Sequence, residues 1–151
     1  MSPRTTYRTL ARAEAVTWTL LLLGMFLKYA VSATDVLVRI GGGLHGFVFL
    51  AYCLATVLVG IDGRWSVRRT AAGLASAFVP YLTLPFERYA ERRGGLAVHW
   101  RLRVEPAGGV LERIVGAALR APVVAAASAA VVLAVVFGGL LAAGPPTTWG
   151  Q

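Results

Sequence analysis

The chain has 151 residues, of which 57% are hydrophobic and 15% are charged, and its mean hydropathy is +0.66. This composition excludes an ordinary soluble domain and indicates an integral membrane protein. The net charge of +8 comes from arginine clusters between apolar runs, where cytoplasmic loops usually keep them. The predicted partner of this charge is therefore a bilayer with anionic lipids and not a nucleic acid. The single cysteine, Cys53, excludes a disulfide framework.

The first apolar run covers residues 13–27 and follows a basic N-terminal segment. This start resembles a signal peptide as much as a first span. Glu14 opens the run, Lys28 closes it, and further apolar runs follow, so a retained transmembrane helix is the favoured reading. Glu14 and Lys28 lie at opposite ends of that helix, where each is either an interfacial anchor or a polar group facing the bundle interior.

The second apolar run, residues 40–60, contains no acidic, lysine or arginine residue but does contain His45. About 20 apolar residues span a hydrocarbon layer of about 30 Å, so this run is long enough to cross a membrane. An ionisable side chain at that depth is a functional-site hypothesis by default. Lys28 and His45 are expected toward the same membrane face, where the lysine would keep the imidazole neutral.

Two faces of this second helix are candidates for function. The helical period predicts one polar and aromatic stripe, formed by His45, Phe49, Tyr52 and Thr56. Gly42 and Gly46 form a small-xxx-small pair beside the stripe, which lets another helix approach closely. The stripe is either a packed structural face or the functional one.

The third apolar segment, residues 70–86, contains Pro80 and Pro85. Each proline removes a backbone donor, so the carbonyls of Ser76 and Tyr81 lose their helical partners. Those carbonyls then need a neighbour, a water or a substrate. We therefore predict a third segment that is either kinked or re-entrant.

The remaining chain is first polar and then apolar. Residues 96–104 alternate in a short strand-like pattern with His99 in a loop, and residues 110–118 show the apolar face of a short interfacial helix. Residues 123–143 form the last predicted span. The predicted fold is an all-α integral membrane bundle, with four transmembrane helices. It divides into a three-helix membrane domain (1–93), a basic loop with the interfacial helix (94–120), and a C-terminal helix with a short tail (121–151).

Counting basic residues exposes a conflict in this topology. Four full spans with a cytoplasmic N-terminus leave six basic residues inside and nine outside, against the positive-inside tendency. A re-entrant third segment leaves thirteen inside and two outside. An outward N-terminus gives nine inside and six outside. Four helices with the N-terminus inside are the favoured arrangement, and re-entry is kept as a hypothesis.

Residues from about 8 to 93 resemble a small bacterial membrane family, domain of unknown function 3817. The resemblance rests on a His-Gly dipeptide in the middle of three predicted helices and on the order of polar residues around it: Glu14, Thr17, Met25, Phe26, Leu27, Lys28, Tyr29, His45, Gly46, Tyr52, Trp65 and Pro80. Family members usually have glycine and proline where this chain has Ala15 and Phe26. The family has no assigned activity, and members occasionally occur fused to transporter domains.

The first functional hypothesis is an accessory or regulatory subunit of a transporter or other membrane complex in a bacterial plasma membrane, acting through helix packing around His45. The partner is then another membrane protein. The alternative is a small homo-oligomeric transporter or channel for protons or a small anion. An enzyme is not predicted, because the sequence shows no catalytic, cofactor or metal constellation. The candidate functional residues are Glu14, Lys28, His45, Gly46, Tyr52 and Pro80, with Gly42 and Gly46 for helix packing.

Overall fold

The computed structural model describes residues 1–32 and 34–143, which form six α-helices and one short 3-10 helix. The α-helices are α1 (Pro3–Tyr29), α2 (Val36–Asp62), α3 (Val67–Ser76), α4 (Thr83–Arg92), α5 (Val110–Arg120) and α6 (Pro122–Ala143), and the 3-10 helix covers Arg101–Arg103. The predicted all-α membrane fold is confirmed. In the described part of the chain, α1, α2 and α6 are long and apolar enough to cross a membrane.

Helices α1 and α2 form an antiparallel hairpin with the most extensive packing in the molecule. Helix α1 begins where the Ser2 side chain accepts a hydrogen bond from the Thr5 amide, with Pro3 in the first turn. Two glycines allow the helices to approach closely. A Cβ on Gly24 would lie 2.7 Å from the Val38 nitrogen, and one on Gly41 would lie 3.1 Å from the Leu20 carbonyl carbon.

The third predicted span does not cross the membrane as one helix but turns back as a hairpin, which we call the α3–α4 hairpin. Helix α3 packs antiparallel to α2, since Gly73 faces Thr56 and Ser76 bonds Tyr52. Helix α4 then returns along α1, with Thr83 at the level of Ala11 and Glu87 beside Arg8. Both ends of the segment therefore lie at the N-terminal end of α1, and the geometry is that of a re-entrant segment.

The tip of this hairpin, residues 77–82, satisfies its backbone locally. The carbonyl of Ser76 accepts from the Val79 amide at 3.4 Å, and that of Tyr81 accepts from Leu84 at 3.2 Å. These two carbonyls thus have protein donors in the same segment, which is the first of the three expected alternatives, and not a water or a substrate. Pro80 lies in the turn itself, and Pro85 lies in the first turn of α4, where a missing amide proton costs little.

The segment between α4 and α5 is a loop and not the predicted strand. Three of its alternating residues anchor the loop in the core, because Leu96, Trp100 and Leu102 are buried. The other two, Val98 and Val104, are exposed. Asp62, at the end of α2, accepts hydrogen bonds from the amides of Arg101 and Leu102 at 3.1 and 2.9 Å. The backbone donors of this loop therefore turn toward a carboxylate instead of a neighbouring strand. The predicted short helix is present as α5.

Helix α6 runs antiparallel to α2. Phe137 lies against Gly46, and the N-terminal half of α6 shares a groove with Leu54 and Leu58 near the other end of α2. Three crossings and a re-entrant hairpin leave thirteen of the fifteen basic residues at the N-terminal end of α1, and only Lys28 and Arg39 at the opposite end. We call the thirteen-residue end the basic side.

The junction of α5 with the loop is expected to weaken in acid. The Gly108 amide and the Arg101 guanidinium, followed by Arg64 at 3.5 Å, hold the pKa of Glu112 below its usual value. A carboxylate with a lowered folded-state pKa contributes stability above its unfolded pKa, about 4.3, and loses it as the pH falls through the folded value. In detergent, thermal unfolding of the wild type should therefore approach that of Glu112→Gln as the pH falls below about 4. A pH-independent difference between the two proteins would contradict this expectation.

Candidate functional site

The polar residues inside the membrane domain form a buried interior between α1, α2 and the α3–α4 hairpin. Buried polar side chains come from every one of these helices: Glu14, Thr17, His45, Thr56, Ser76, Thr83 and Glu87. Polar groups in a membrane interior are costly unless they are paired, so their partners define what this interior can do.

Hydroxyl groups connect α1, α2 and α3 near the basic side. The Tyr7 and Tyr52 hydroxyls lie 2.6 Å apart, and Tyr52 is 3.1 Å from the Ser76 hydroxyl. The Thr56 hydroxyl lies 3.2 Å from that of Tyr7. Tyr52, a predicted candidate, is thus fully buried and tied to neighbours of its own chain. Tyr7 was missed, although it lies seven residues before Glu14 and so on the same face of α1.

His45 points into α1 and not toward a foreign surface. Its Nδ1 lies 3.1 Å from the Thr17 hydroxyl, and its ring centroid lies 4.3 Å from that of Trp18. The Thr17 hydroxyl donates its one proton to the Glu14 carbonyl at 2.9 Å. His45 Nδ1 therefore carries a proton and donates to Thr17.

Lys28 lies far from His45, in contrast to the predicted neighbourhood. Thr17 is the residue of α1 that faces His45, and Lys28 is eleven residues further along, about 16 Å of helix rise. The Lys28 ammonium instead lies 5.2 Å from the Tyr29 ring centroid. The imidazole is therefore surrounded by a hydroxyl and aromatic rings, without a cation beside it.

Among the described residues, Glu14 is the one carboxylate buried beside Thr83, where the hairpin tip ends. Its side chain is fully enclosed, and Oε2 accepts a hydrogen bond from the Thr83 hydroxyl at 2.7 Å. The other oxygen, Oε1, has no hydrogen-bond partner among the described residues, and neither has the buried Trp18 Nε1 one turn along α1. An unused acceptor and an unused donor thus lie close together in the membrane interior.

Ion pairs fasten the basic end of α1 to the returning helix α4. Arg8 Nε lies 3.0 Å from Glu87 Oε1, and a second nitrogen of the same guanidinium pairs with Glu91. Arg4 also pairs with Glu91, at 3.3 Å. No local pattern indicated these pairs, because about eighty residues separate the partners. Two of the arginines expected to face lipid are therefore engaged within the protein.

The two glycines predicted for helix packing have different surroundings. A Cβ on Gly46 would lie 3.0 Å from the Phe137 ring of α6, whereas one on Gly42 would meet only Leu21 at an ordinary 3.7 Å. The closest contacts between α1 and α2 are made by Gly24 and Gly41 instead. The two residues of the His-Gly dipeptide therefore contact different helices: His45 faces α1, and Gly46 faces α6.

The interior offers proton-bearing groups but no group of metal ligands. Within residues 1–32 and 34–143, no three His, Cys, Asp or Glu side chains are placed to hold a metal ion. The hydrogen bonds of this interior form two sets around Glu14: the carboxylate accepts from Thr83, and the backbone carbonyl accepts from Thr17, whose hydroxyl also contacts His45.

The part of the chain that forms this interior matches a known family. The family model described as "Domain of unknown function (DUF3817)" matches residues 4–92. The chain belongs to the DUF3817 family. The resemblance expected from the sequence is thereby confirmed, and the matched residues comprise α1, α2 and the α3–α4 hairpin. Helices α5 and α6 follow the DUF3817 region.

Two relatives are described as membrane proteins. One from Streptomyces coelicolor is 46% identical over 88 residues, which are 58% of this chain but 10% of that protein. The uncharacterized membrane protein YdzA of Bacillus subtilis is 32% identical over 82 residues, 54% of this chain and 84% of YdzA. No solved structure matches the chain. With three helices able to span a bilayer, the DUF3817 protein is a multi-pass membrane protein, as predicted.

Proposed function

We propose that this DUF3817 protein is an accessory or regulatory subunit of a transporter or other membrane complex. The observation that carries the proposal is the relative in which the matched region is only a tenth of a larger membrane protein. A domain joined to a much longer chain works beside other parts of that chain, and a separate small protein can do the same by binding. The positive-inside tendency favours a cytoplasmic basic side.

The surface available to such a partner is not the His45 stripe, because that stripe faces α1 and the α3–α4 hairpin of the same chain. An apolar groove of about 530 Å³ between α2, α5 and α6 is better suited. Its α6 wall contains the small residues Ala125, Ser128 and Ala129, and Leu54 and Leu58 form the α2 wall. Small residues let a second transmembrane helix approach closely, so we propose a partner helix in this groove.

The alternative is a homo-oligomer that moves protons or a small anion. The unpaired Glu14 oxygen and the nearby His45 favour it, since intramembrane ionisable groups mark proton paths in many transporters. Against it, Tyr52 and Thr56 already bond to groups of their own chain, and the hairpin ends at about the level of Thr19. The accessory role is therefore the better supported of the two.

The deciding experiment is affinity purification of the full chain from native membranes in mild detergent, followed by quantitative mass spectrometry. Ser128→Trp fills the groove, and Val135→Trp places the same side chain at an exposed position of α6 outside it. A partner should be recovered with wild type and Val135→Trp, and reduced about tenfold, or about 1.4 kcal/mol, with Ser128→Trp. A homo-oligomer without a partner in all three samples would contradict the proposal and favour transport.

A further inference from the structure

The buried carboxyl of Glu14 lies where the α3–α4 hairpin meets α1. Thr83, its hydrogen-bond partner, is the first residue of α4 and directly follows the hairpin tip. Glu14 lies six residues beyond Arg8, about 9 Å deeper along the helix axis. We propose that Glu14 is a proton-binding site whose protonation state sets how firmly the α3–α4 hairpin is held in the membrane domain.

The same heavy atoms can accommodate both protonation states. When Glu14 is ionised, the Thr83 hydroxyl donates its proton to Oε2 at 2.7 Å. When a proton from water is bound at Oε2, Glu14 donates to the Thr83 oxygen, and the Thr83 hydroxyl turns to the Ala11 carbonyl at 3.3 Å. No atom needs to move far, so a proton can be gained or lost without unfolding the site.

The difference between the two states lies at the second oxygen. An ionised carboxylate needs donors at both oxygens, yet among the described residues Oε1 makes no well-formed hydrogen bond, and the donor beside it is the unpaired indole N–H of Trp18. A buried charge with an unmet acceptor is strongly unfavourable, and water entering beside the hairpin can offset that cost. The neutral form needs a hydrogen-bond donor at Oε1 much less, since its Oε1 is an uncharged carbonyl. Protonation should therefore favour a closed hairpin, and ionisation should favour a hydrated, looser one.

The groups around Glu14 allow this control because none of them is a fixed countercharge beside it. Helix α1 contributes the indole of Trp18 and the hydroxyl of Thr17. Helix α2 contributes His45, joined through Thr17, together with the uncharged Tyr52 and Cys53 further along the helix. Helix α3 contributes the uncharged Ser76 through its bond to Tyr52, and α4 contributes Thr83 and, one turn on, Glu87. Arg8, six residues before Glu14 on α1, is already paired with Glu87 and Glu91, and Arg12, two residues before Glu14, is exposed.

The first test is infrared difference spectroscopy of the purified wild-type protein in liposomes during pH titration. We expect a carboxyl band that titrates in the wild type and in Glu105→Gln, a control at an exposed acid, but is absent from Glu14→Gln. Thr83→Val keeps the carboxyl and removes its partner, so the band should remain and change its frequency. The absence of any titrating band assigned to Glu14 while the protein is folded would overturn the proposal.

The second test measures the hairpin itself with a single cysteine replacing Val79 at the tip, in a Cys53→Ser background. Each rate with a water-soluble maleimide is divided by that of a cysteine replacing Val98 in the exposed loop, because thiol reactivity itself rises with pH. The normalised rate should rise by up to about tenfold per pH unit in the wild type and stay low in Glu14→Gln. Equal pH dependence in both proteins would overturn the link to the hairpin. Neither test requires a partner, so both are independent of the proposed accessory role.

Discussion

Replacing Gly24 with alanine is expected to lower the free energy of unfolding by roughly 2 kcal/mol. The new Cβ would lie 2.7 Å from the Val38 nitrogen and 2.8 Å from the Leu37 carbonyl carbon. Both atoms belong to the backbone of α2, so neither can turn aside as a flexible side chain would. Helices α1 and α2 must separate, and the bonds that cross their interface, such as Thr17 to His45, are lengthened. Unfolding in mixed micelles, followed by circular dichroism, measures the change.

Gly43→Ala is the matched control for this experiment. Gly43 lies in the same helix pair, and a Cβ there meets nothing within 4 Å. Because alanine has the higher helix propensity, this variant should be as stable as the wild type or slightly more stable. Equal losses at Gly24 and Gly43 would show that close packing of α1 on α2 does not determine the stability of the domain.

Replacing Asp62 with alanine is expected to cost about 3 kcal/mol, because a buried and a part-buried backbone donor lose a charged acceptor at once. The carboxylate is 1% exposed and accepts from the amides of Arg101 and Leu102. Without it, the loop between α4 and α5 should detach from the end of α2. Limited proteolysis within residues 93–109 should then become faster, in addition to the loss of unfolding free energy.

Asp35→Ala provides the comparison for this second prediction. Asp35 precedes α2, its side chain caps no helix amide, and its partner is the exposed Arg39 in the next turn. Removing an exposed pair of this kind should change stability by less than about 1 kcal/mol. A similar loss at Asp35 and Asp62 would argue that net charge, and not the hydrogen bonds from Asp62 to the loop, is responsible.

The three crossing helices were predictable because length and hydropathy alone identify them. Re-entry of the third segment was predictable only as one of two ways to satisfy the positive-inside tendency. If this segment crossed the membrane with the N-terminus inside, most basic residues would lie outside. The prolines indicated where the segment breaks but not how its carbonyls would be satisfied. Local turn bonds to Ser76 and Tyr81 satisfy them, and these depend on a backbone path that sequence patterns do not specify.

The contacts that each site residue makes were much less predictable than the identity of the site residues. His45 was singled out by its depth, but its neighbour depends on the register of α1 against α2, which Gly24 and Gly41 set by close contact. A register that places Thr17 opposite His45 also carries Lys28 away from it. The pairing of Arg8 with Glu87 depends on the hairpin returning to the basic side, which no local pattern of charges reveals.

The shape of the α3–α4 hairpin has a consequence for biogenesis. Helices α3 and α4 have 10 residues each, about 15 Å of rise, so neither can be inserted as an ordinary spanning segment across about 30 Å. Their polar contacts, including Tyr52 with Ser76 and Glu14 with Thr83, exist only once α1 and α2 are already paired. We therefore expect the hairpin to enter last, from the side on which the chain is synthesised. Nascent chains would pass through a stage in which the two crossing helices are in place and their polar interior is still open.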